Sequence, residues 1–285
     1  MTITRLGIIG SGIMGSGIAE VAAKSGVEVV LRSRKRDSAD AMVAGLERSL
    51  AKQVERGKLE EQAAKEIAAR VSATDDLHAL HDCDLVLESV VEDLAVKKEL
   101  FTRLDDIVKA EGILATNTST LPVVELAMAT ERPDKVVGIH FFNPAPMMSL
   151  VEVIAPLTAS DDTVAAAKAF AVACGKDVVE VKDRAGFIVN ALLFPYLNNA
   201  VRMLEAGTAN RDDIDTAMKG GCNFPMGPLA LLDLVGLDTS LSILDALYTE
   251  FRDPNYAAMP LLRRMVAAGQ LGRKSGLGFY EYGKK

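Results

Sequence analysis

The sequence contains few of the residues from which metal centres and disulfide frameworks are built. It has three histidines and three cysteines among 285 residues. The cysteines, at positions 83, 174 and 222, are odd in number, widely spaced and outside any CxxC pattern, which argues against a disulfide framework and a zinc site. No histidine pair has i,i+4 spacing within a carboxylate cluster. We therefore expect no metal, and a location in the reducing cytoplasm.

The chain also lacks an excess of positive charge and any long apolar run. Its 32 lysines and arginines are outnumbered by 39 aspartates and glutamates, which gives a net charge of −7. No overall basic field is therefore available to hold a nucleic acid or an anionic membrane. No apolar run reaches the ~18 residues of a membrane span, and the N-terminus has no signal-peptide layout. We expect neither a nucleic-acid partner nor membrane association, so any anionic ligand must be bound locally.

The length and the order of the apolar patterns predict two domains. At roughly 150 residues per domain, a chain of 285 residues corresponds to about two domains. Short apolar strands alternate with helical periodicity up to about position 183, and only helical patterns follow. We predict an α/β fold, with a Rossmann-type doubly wound sheet and a projecting helical pair, followed by an all-α C-terminal domain. The predicted boundaries are 1–184 for the α/β domain and 185–285 for the helical C-terminal domain.

A strand, a glycine-rich turn, a helix and a second strand open the chain. The turn has the GxGxxG pattern, in which Gly10 permits a tight turn, Gly12 lets the backbone approach a pyrophosphate, and Gly15 lets the helix pack closely on the strand. Ile13 and Met14 occupy the positions between these glycines. The pattern alone is weak and also fits a turn without a ligand, but the strand and helix around it favour a dinucleotide site.

The residues after the second strand bear on the choice of cofactor. A carboxylate about 20 positions after the glycine turn would accept hydrogen bonds from the ribose of NAD, and Ser33 stands at that position. The absence of a carboxylate removes repulsion toward a 2′-phosphate, with which Arg32, Arg34 and Arg36 could pair. We predict a preference for NADP(H), with NAD(H) as the alternative. A solvated charge run would give the same pattern.

Helical periodicity then predicts two helices in succession. The first has Asp37 as its N-cap, and the second spans 58–70. Lys52 and Arg56 of this helical pair are candidates to meet an anionic ligand, although ordinary solvated side chains are the more common case. Further strands are predicted at 84–88, 113–116 and 135–139, with a helix at 95–108. Five helices are predicted after position 183, at 186–205, 211–219, 228–235, 239–251 and 259–268.

A histidine follows the strand predicted at 135–139. Oxidation of a secondary alcohol needs a base to take the hydroxyl proton, and an imidazole that titrates near neutrality suits both directions of the reaction. Glu152 lies twelve residues after His140, on what reads as the next strand. A carboxylate there could orient the ring and stabilise the imidazolium. The alternative is a histidine that satisfies hydrogen bonds in a polar turn.

Ordered motifs carry a resemblance to a known family. They are GSGIMG at 10–15, NTS at 117–119, GIHFFNP at 138–144, DRAGFIVN at 183–190 and GRKSGLGFY at 272–280. With them, the chain resembles the 3-hydroxyacyl-CoA dehydrogenases over nearly its whole length. The resemblance implies that His140 and Glu152 form the catalytic pair, that Ser119 hydrogen-bonds the reacting oxygen, and that Asn190 holds the carbonyl end of the substrate. Without it, Ser119 reads as a helix N-cap and Asn190 as a polar contact between helices.

The resemblance also implies contacts with the rest of both ligands. It assigns Glu92 and Lys97 to the nicotinamide and ribose end of the cofactor and Asn117 to the nicotinamide, although Glu92 and Lys97 alone read as exposed charges at a helix start. For the substrate, it assigns contacts with the CoA moiety to two cations of the helical pair and a further contact to an asparagine of the GIHFFNP motif. These three residues are Lys52, Arg56 and Asn143.

The implied activity is the interconversion of a short-chain (S)-3-hydroxyacyl-CoA and its 3-oxoacyl-CoA. We expect 3-hydroxybutyryl-CoA and acetoacetyl-CoA as the pair, with a nicotinamide cofactor, and a homodimer formed through the C-terminal domain. One alternative is a related dehydrogenase of a free hydroxy acid or sugar acid. Another is a non-catalytic protein that kept the dinucleotide-binding fold.

Overall fold

The computed structural model describes residues 1–283. The chain divides into two compact units, Met1–Asp183 and Arg184–Lys285. Within the described residues, no helix has both the length and the apolar character needed to cross a membrane.

The first unit is built on one mixed sheet. Its strands are β1 (Arg5–Ile9), β2 (Glu28–Arg32), β3 (Val71–Thr74), β4 (Leu85–Glu88), β5 (Ile113–Thr116), β6 (Val136–Phe141), β7 (Leu150–Ala155) and β8 (Asp177–Lys182). They lie in the order β3-β2-β1-β4-β5-β6-β7-β8. The first six strands are parallel, β7 runs antiparallel to β6, and β8 is parallel to β7.

Helices connect the strands of the first unit and form the second. The first unit contains α1 (Ile13–Lys24), α2 (Arg36–Glu55), α3 (Glu61–Ala69), α4 (Leu94–Ile107), α5 (Val123–Ala127) and α6 (Asp161–Ala173). The second contains α7 (Val189–Glu205), α8 (Arg211–Cys222), α9 (Pro228–Val235), α10 (Leu237–Phe251) and α11 (Pro260–Ala267). The predicted class, a Rossmann-like sheet followed by a helical domain, is confirmed.

The strand order reverses between β1 and β4, and this position locates the ligand site. The consecutive residues Leu85, Val86 and Leu87 on β4 are fully buried, and Ile8 and Ile9 on β1 almost so, as expected for strands covered on both faces. Burial of each such side chain stabilises the fold by roughly 1.5–3 kcal/mol. In sheets of this kind, ligands bind beyond the carboxyl ends of the strands at the reversal. The loops that follow β1, β4, β5 and β6 meet at this edge.

The helical pair α2 and α3 lies between β2 and β3 in the chain. Met42, Leu46 and Leu50 of α2 are buried in the same core as α1 and the sheet. Glu20 of α1 accepts hydrogen bonds of 2.8 Å from the side chains of Ser49 and Gln53, which ties α2 to α1. Both an apolar stripe and a polar contact therefore hold α2.

Several predicted boundaries are wrong. Helix α2 begins at Arg36 after the N-cap Lys35, so Asp37 lies in its first turn, where its charge favours the helix dipole. Helix α3 begins at Glu61 rather than at 58, since Gly57 adopts a positive φ of 66° and the chain turns there. Strand β6 continues to Phe141, so the histidine at 140 lies within the strand. The sequence reading assigned no element to β3, β8 or α6.

The second unit has its own apolar core and buried carboxylates that hold its loops. Leu197, Leu229 and Leu244 are fully buried there. Asp215 accepts hydrogen bonds of 2.8 and 3.0 Å from the backbone N–H groups of Leu229 and Ala230, which caps the start of α9. This contact supplies the side-chain acceptor that the N-cap Gly227 lacks.

Candidate active site

His140 and Glu152 face each other across the antiparallel strands β6 and β7. They are register partners, and the imidazole Nδ1 lies 2.8 Å from the carboxylate Oε2. Both side chains are almost completely buried, with 4% of His140 and none of Glu152 exposed. An ionised carboxylate only accepts hydrogen bonds, so an ionised Glu152 holds the hydrogen of a neutral ring on Nδ1. That tautomer places the lone pair of the imidazole on Nε2.

Ser119 occupies the other side of the imidazole. Its Oγ lies 3.1 Å from Nε2 of His140, in the loop that follows β5. The N-cap of α5 is Pro122, so the alternative reading of Ser119 as a helix N-cap is wrong. The hydroxyl, the ring and the carboxylate of Glu152 form a chain of hydrogen bonds that ends at the carboxyl edge of the sheet.

Glu92 anchors the loop that carries Ser119. Its Oε1 accepts hydrogen bonds from the backbone N–H of Ser119 at 2.9 Å, from the backbone N–H of Thr120 at 3.3 Å and from the hydroxyl of Thr118. Burial raises the pKa of Glu92, but the charge of Lys97 and these hydrogen bonds outweigh it, so the pKa lies below its ordinary value. The carboxylate is therefore kept ionised as an acceptor for the loop.

Lys97 is a buried cation beneath this loop. Only 1% of the residue is exposed, so the reading of Lys97 as an exposed charge at a helix start is wrong. Its Nζ lies 2.6 Å from Oε1 of Glu88 and 3.2 Å from Oε2 of Glu92. Glu88, the last residue of β4, is fully buried and also accepts a 2.7 Å hydrogen bond from the hydroxyl of Thr116. Two carboxylates thus compensate the buried ammonium.

The sequence reading missed Glu88. It was assigned only to a predicted strand, because a single glutamate at a strand end carries no motif. A signal was present nonetheless, since a carboxylate at the end of an otherwise apolar buried strand requires a partner. Lys97 is that partner.

Asn117 joins the loops of neighbouring strands. Its Oδ1 accepts a 2.8 Å hydrogen bond from the backbone N–H of Phe141, and its Nδ2 lies 3.4 Å from the hydroxyl of Ser89. The side chain therefore links the carboxyl ends of β4, β5 and β6. It holds Phe141, the residue next to the histidine of the candidate pair.

The glycine turn fits a dinucleotide. A Cβ at Gly10, whose φ is 135°, would lie 2.1 Å from the carbonyl oxygen of Ser89, and one at Gly15 would lie 2.4 Å from the carbonyl oxygen of Gly10. Only glycine is tolerated at these close approaches. A Cβ at Gly12 would meet nothing within 4 Å, and no side chain caps α1 at this residue. The N-terminus of α1 thus has neither a side-chain cap nor a crowded approach at Gly12, as a pyrophosphate site requires. Ile13 and Met14 form the first turn of this helix.

A cavity of about 720 Å³ extends from this turn. Its lining includes Gly10 and Gly12, the end of β2 with Arg32, Ser33 and Arg34, and one face of α4. This is the volume of a small-molecule site. It fits the adenosine half of a dinucleotide whose pyrophosphate lies over α1.

Arg36 differs from its neighbours. Its Nε pairs with both carboxylate oxygens of Asp40, at 2.9 and 3.1 Å, one turn further along α2. It is absent from the cavity lining, which Arg32 and Arg34 share. Arg36 is therefore paired with a carboxylate of its own helix.

The remaining predicted residues lie outside this cluster. Lys52 and Arg56 are exposed at the C-terminal end of α2, and Asn143 is exposed in the loop after β6. Asn190 belongs to the second unit, where it is buried in the first turn of α7. The structure thus gathers the histidine, the glutamates, Ser119, Lys97 and Asn117 at one sheet edge.

Comparisons with known proteins identify the family of the chain. Residues 5–184 match the family model of the 3-hydroxyacyl-CoA dehydrogenase NAD binding domain, and residues 186–282 match that of the 3-hydroxyacyl-CoA dehydrogenase C-terminal domain. The chain is similar to a 3-hydroxybutyryl-CoA dehydrogenase of Clostridioides difficile, with 48% identity covering 98% of this chain and 100% of the relative.

Solved structures give the same result. The crystal structure of (S)-3-hydroxybutyryl-CoA dehydrogenase PaaH1 from Ralstonia eutropha matches with a TM-score of 0.97 and 42% identity, over 99% of this chain and 100% of that one. FadB2 of M. tuberculosis matches with a TM-score of 0.97 and 47% identity, again over 99% and 100%.

Proposed function

The chain belongs to the 3-hydroxyacyl-CoA dehydrogenase family, and from that we propose that it interconverts (S)-3-hydroxybutyryl-CoA and acetoacetyl-CoA with a nicotinamide cofactor. One observation carries the proposal. The hydroxyl of Ser119, the imidazole of His140 and the carboxylate of Glu152 form a continuous chain, with distances of 3.1 and 2.8 Å. This is the arrangement that a reversible alcohol oxidation needs from a protein.

We assign the proton transfer to His140. In the oxidation direction, its Nε2 accepts the proton of the substrate hydroxyl, and in the reduction direction the imidazolium returns it. Glu152 stabilises the positive charge that the ring gains, because its carboxylate lies against Nδ1. Ser119 contacts the same Nε2 and orients the reacting oxygen toward it. A bound nicotinamide cofactor would supply the hydride acceptor for the oxidation and the hydride donor for the reduction.

The neighbouring side chains position the groups that carry out the proton transfer. Glu92 fixes the loop of Ser119 through the backbone, and Lys97, itself held by Glu88, pairs with Glu92. Asn117 fixes the backbone beside the histidine. We further propose that Glu92 and Asn117 line the nicotinamide and ribose end of the cofactor, and that the buried Lys97 acts there through Glu92. This follows from their position beyond the carboxyl ends of β4 and β5.

The substrate contacts are proposed from the family likeness. Asn190 would hold the thioester carbonyl, and Asn143 would contact the acyl-CoA near the reacting end. Lys52 and Arg56 would pair with the phosphates of the CoA moiety. Their exposure on α2 supports this role, because a phosphate can reach both cations.

We also propose that NADP(H) is preferred to NAD(H). Ser33, buried at the end of β2, places no carboxylate in the cavity, and Arg32 and Arg34 line that cavity with it. Both side chains can pair with a 2′-phosphate. Arg36 contributes less to the preference than its neighbours because Asp40 already engages it.

The activity is tested by the initial rate of reduced-cofactor loss with acetoacetyl-CoA, run in parallel with NADPH and NADH. Turnover with acetoacetyl-CoA and none with free acetoacetate supports the proposed substrate. Equal turnover with the free acid would favour a dehydrogenase of free hydroxy acids. Binding of the cofactor without turnover of acetoacetyl-CoA or acetoacetate would indicate a non-catalytic dinucleotide-binding protein.

We propose a homodimer formed through the second unit. Large apolar side chains are exposed on α7 and α9, two helices that pack together, and they include Leu192 at 72%, Met203 at 45% and Leu234 at 49% exposure. A second copy of this unit would cover them. Analytical ultracentrifugation should show a dimer. Leu192→Glu should weaken this dimer, whereas the control Leu157→Glu, at an exposed leucine of the first unit, should leave it unchanged.

The free thiols at all three cysteines suit the cytoplasmic location that we propose.

A further inference from the structure

Three arginines from two separate elements line the cavity beside the glycine turn. Arg32 ends β2, Arg34 follows it in the next loop, and Arg103 lies on α4. Arg34 and Arg103 are exposed, whereas Arg32 is half-buried with its Nε donating a 3.3 Å hydrogen bond to the carbonyl oxygen of Asp75. Arginines from two separate parts of the chain thus line the same cavity.

The arginines are close enough to affect one another. Burial, followed by the charges of Arg103 and Arg34, lowers the pKa of Arg32, while Asp75 and Asp76 act in the opposite direction. Of the two neighbouring cations, Arg103 has the larger effect. Like charges held around one cavity repel each other, and an anion between them removes that repulsion.

The face of α4 toward the cavity has a consistent chemistry. Val96, Glu99, Leu100 and Arg103 line it, at the i, i+3, i+4 and i+7 spacing of one helix face. The apolar pair suits the flat face of an adenine, and Arg103 lies one turn beyond it. Glu99 is the one carboxylate among the lining residues, so the three arginines leave a surplus of two positive charges.

We propose that Arg103 is a specificity-determining residue that binds the 2′-phosphate of NADP(H) together with Arg32 and Arg34. A phosphate with two negative charges matches the surplus at this end of the cavity. The proposal rests on the cofactor preference proposed above and extends it to a residue of α4. Arg103 follows Ser33 by seventy residues, so it falls outside the segment in which a dinucleotide motif is read.

The alternative role for Arg103 is stacking of its guanidinium on the adenine. Stacking would stabilise both dinucleotides equally, because they share the same base. A phosphate contact would instead stabilise only the ligand with the 2′-phosphate. The two roles are therefore separated by a pair of ligands that differ in that group alone.

The experiment measures binding of 2′,5′-ADP and 5′-AMP by isothermal titration calorimetry, with no turnover involved. Wild type, Arg103→Gln and the control Lys98→Gln are compared. The control removes a cation from the same helix at a position outside the cavity lining. We expect Arg103→Gln to weaken 2′,5′-ADP binding by roughly 10- to 100-fold and to leave 5′-AMP binding within about 2-fold, while Lys98→Gln changes both by less than about 2-fold.

Three other outcomes would overturn the proposal. Equal loss of both ligands would assign Arg103 to stacking. Unchanged binding in Arg103→Gln, with wild type still favouring 2′,5′-ADP, would remove Arg103 from the site and leave the NADP(H) preference standing. A wild type that binds both ligands equally would refute the preference and the role of Arg103 together.

Discussion

His140 and Glu152 are directly opposite each other in the register of β6 and β7, and their side chains meet at 2.8 Å. The eleven residues between them form the return of an antiparallel hairpin, which brings a residue near the end of one strand beside a residue near the start of the next. Side chains alternate between faces along a strand, so a slip of one residue would move the carboxylate to the opposite face. The pair therefore depends on the register of these two strands.

Loss of the Glu152 charge should slow the reaction without affecting folding or cofactor binding. Glu152→Gln keeps the shape of the side chain but removes the charge that stabilises the imidazolium, and we expect kcat to fall roughly 10²- to 10⁴-fold. Stopped-flow or steady-state rates with acetoacetyl-CoA provide the measurement. Glu180→Gln is the matched control, since Glu180 is a carboxylate on the exposed strand β8, paired with Lys168.

The same residues allow a stricter test. If Glu152 acts through the histidine, Glu152→Gln should add little to the loss already caused by His140→Ala, because residues that act as a unit are not additive. Fully multiplicative losses in the double variant would show that the two side chains act separately. Near-normal kcat in His140→Ala would refute the mechanism itself.

The buried lysine should be needed for stability as well as for the cofactor site. Lys97→Met leaves Glu88, which is fully buried, without its cation, and we expect a loss of about 3–5 kcal/mol. The double variant Glu88→Gln with Lys97→Met should recover a large part of this loss, since no uncompensated charge remains. Thermal unfolding of the single and double variants measures the coupling. A double variant less stable than Lys97→Met would contradict this account.

Cofactor preference should reverse when a carboxylate is placed at the end of β2. Ser33→Asp would accept hydrogen bonds from the ribose of NAD and repel a 2′-phosphate, so the NADPH to NADH ratio of kcat/KM should fall roughly 10- to 100-fold. Ser38→Asp on α2 adds the same charge a few residues later, outside the cavity lining. If both variants shift the ratio equally, overall charge and not a specific contact sets the preference.

Asp84 should contribute stability that depends on pH. Burial raises the pKa of its carboxyl group, but the ammonium of Lys109 and hydrogen bonds from Thr4 and Arg5 outweigh this and lower it to about 2. Since the pKa is lower in the folded state, the stabilisation is complete above the unfolded value near 4 and is lost as the pH falls toward 2. At neutral pH it amounts to about 2 kcal/mol.

Asp84→Asn should therefore lower Tm by roughly 4–8 °C at pH 7 and by less at pH 3. The control is Asp82→Asn, which removes an exposed partner of Arg5 and should cost less than about 1 kcal/mol. A deficit of Asp84→Asn that is equal at both pH values would show that packing or hydrogen bonding, rather than ionisation, accounts for it.

Local patterns in the sequence were enough to predict much of the first unit. The GxGxxG turn between two β-branched runs fixes a strand, helix and strand order, and the structure follows it closely. Strand β8 was not assigned because its three valines form neither a continuous apolar run nor a strict alternation. Strand β3 has four residues and lies at the sheet edge, where little burial marks it.

The site was only partly predictable for a different reason. The family resemblance and the chemistry of an imidazole associate Glu152 with His140. Their contact, however, depends on the register of two strands, which the spacing of the two residues in the sequence does not encode. The sequence predicts an exposed Lys97 because Glu88, its buried partner, lies on another element. Arg103 has an ordinary helical neighbourhood, and only the tertiary fold brings it beside Arg32. Residues that act through distant partners leave no local pattern.

The position of the arginines in the sheet has an evolutionary consequence. Arg32 ends β2, whereas His140 lies on β6, four strand spacings away, or roughly 19 Å at about 4.8 Å per strand. This exceeds the distance over which exposed charges interact in physiological salt. Substitutions at the end of β2 should then leave proton transfer intact. A lineage could therefore change its cofactor from NADP(H) to NAD(H) by successive single substitutions and keep an active enzyme at each one.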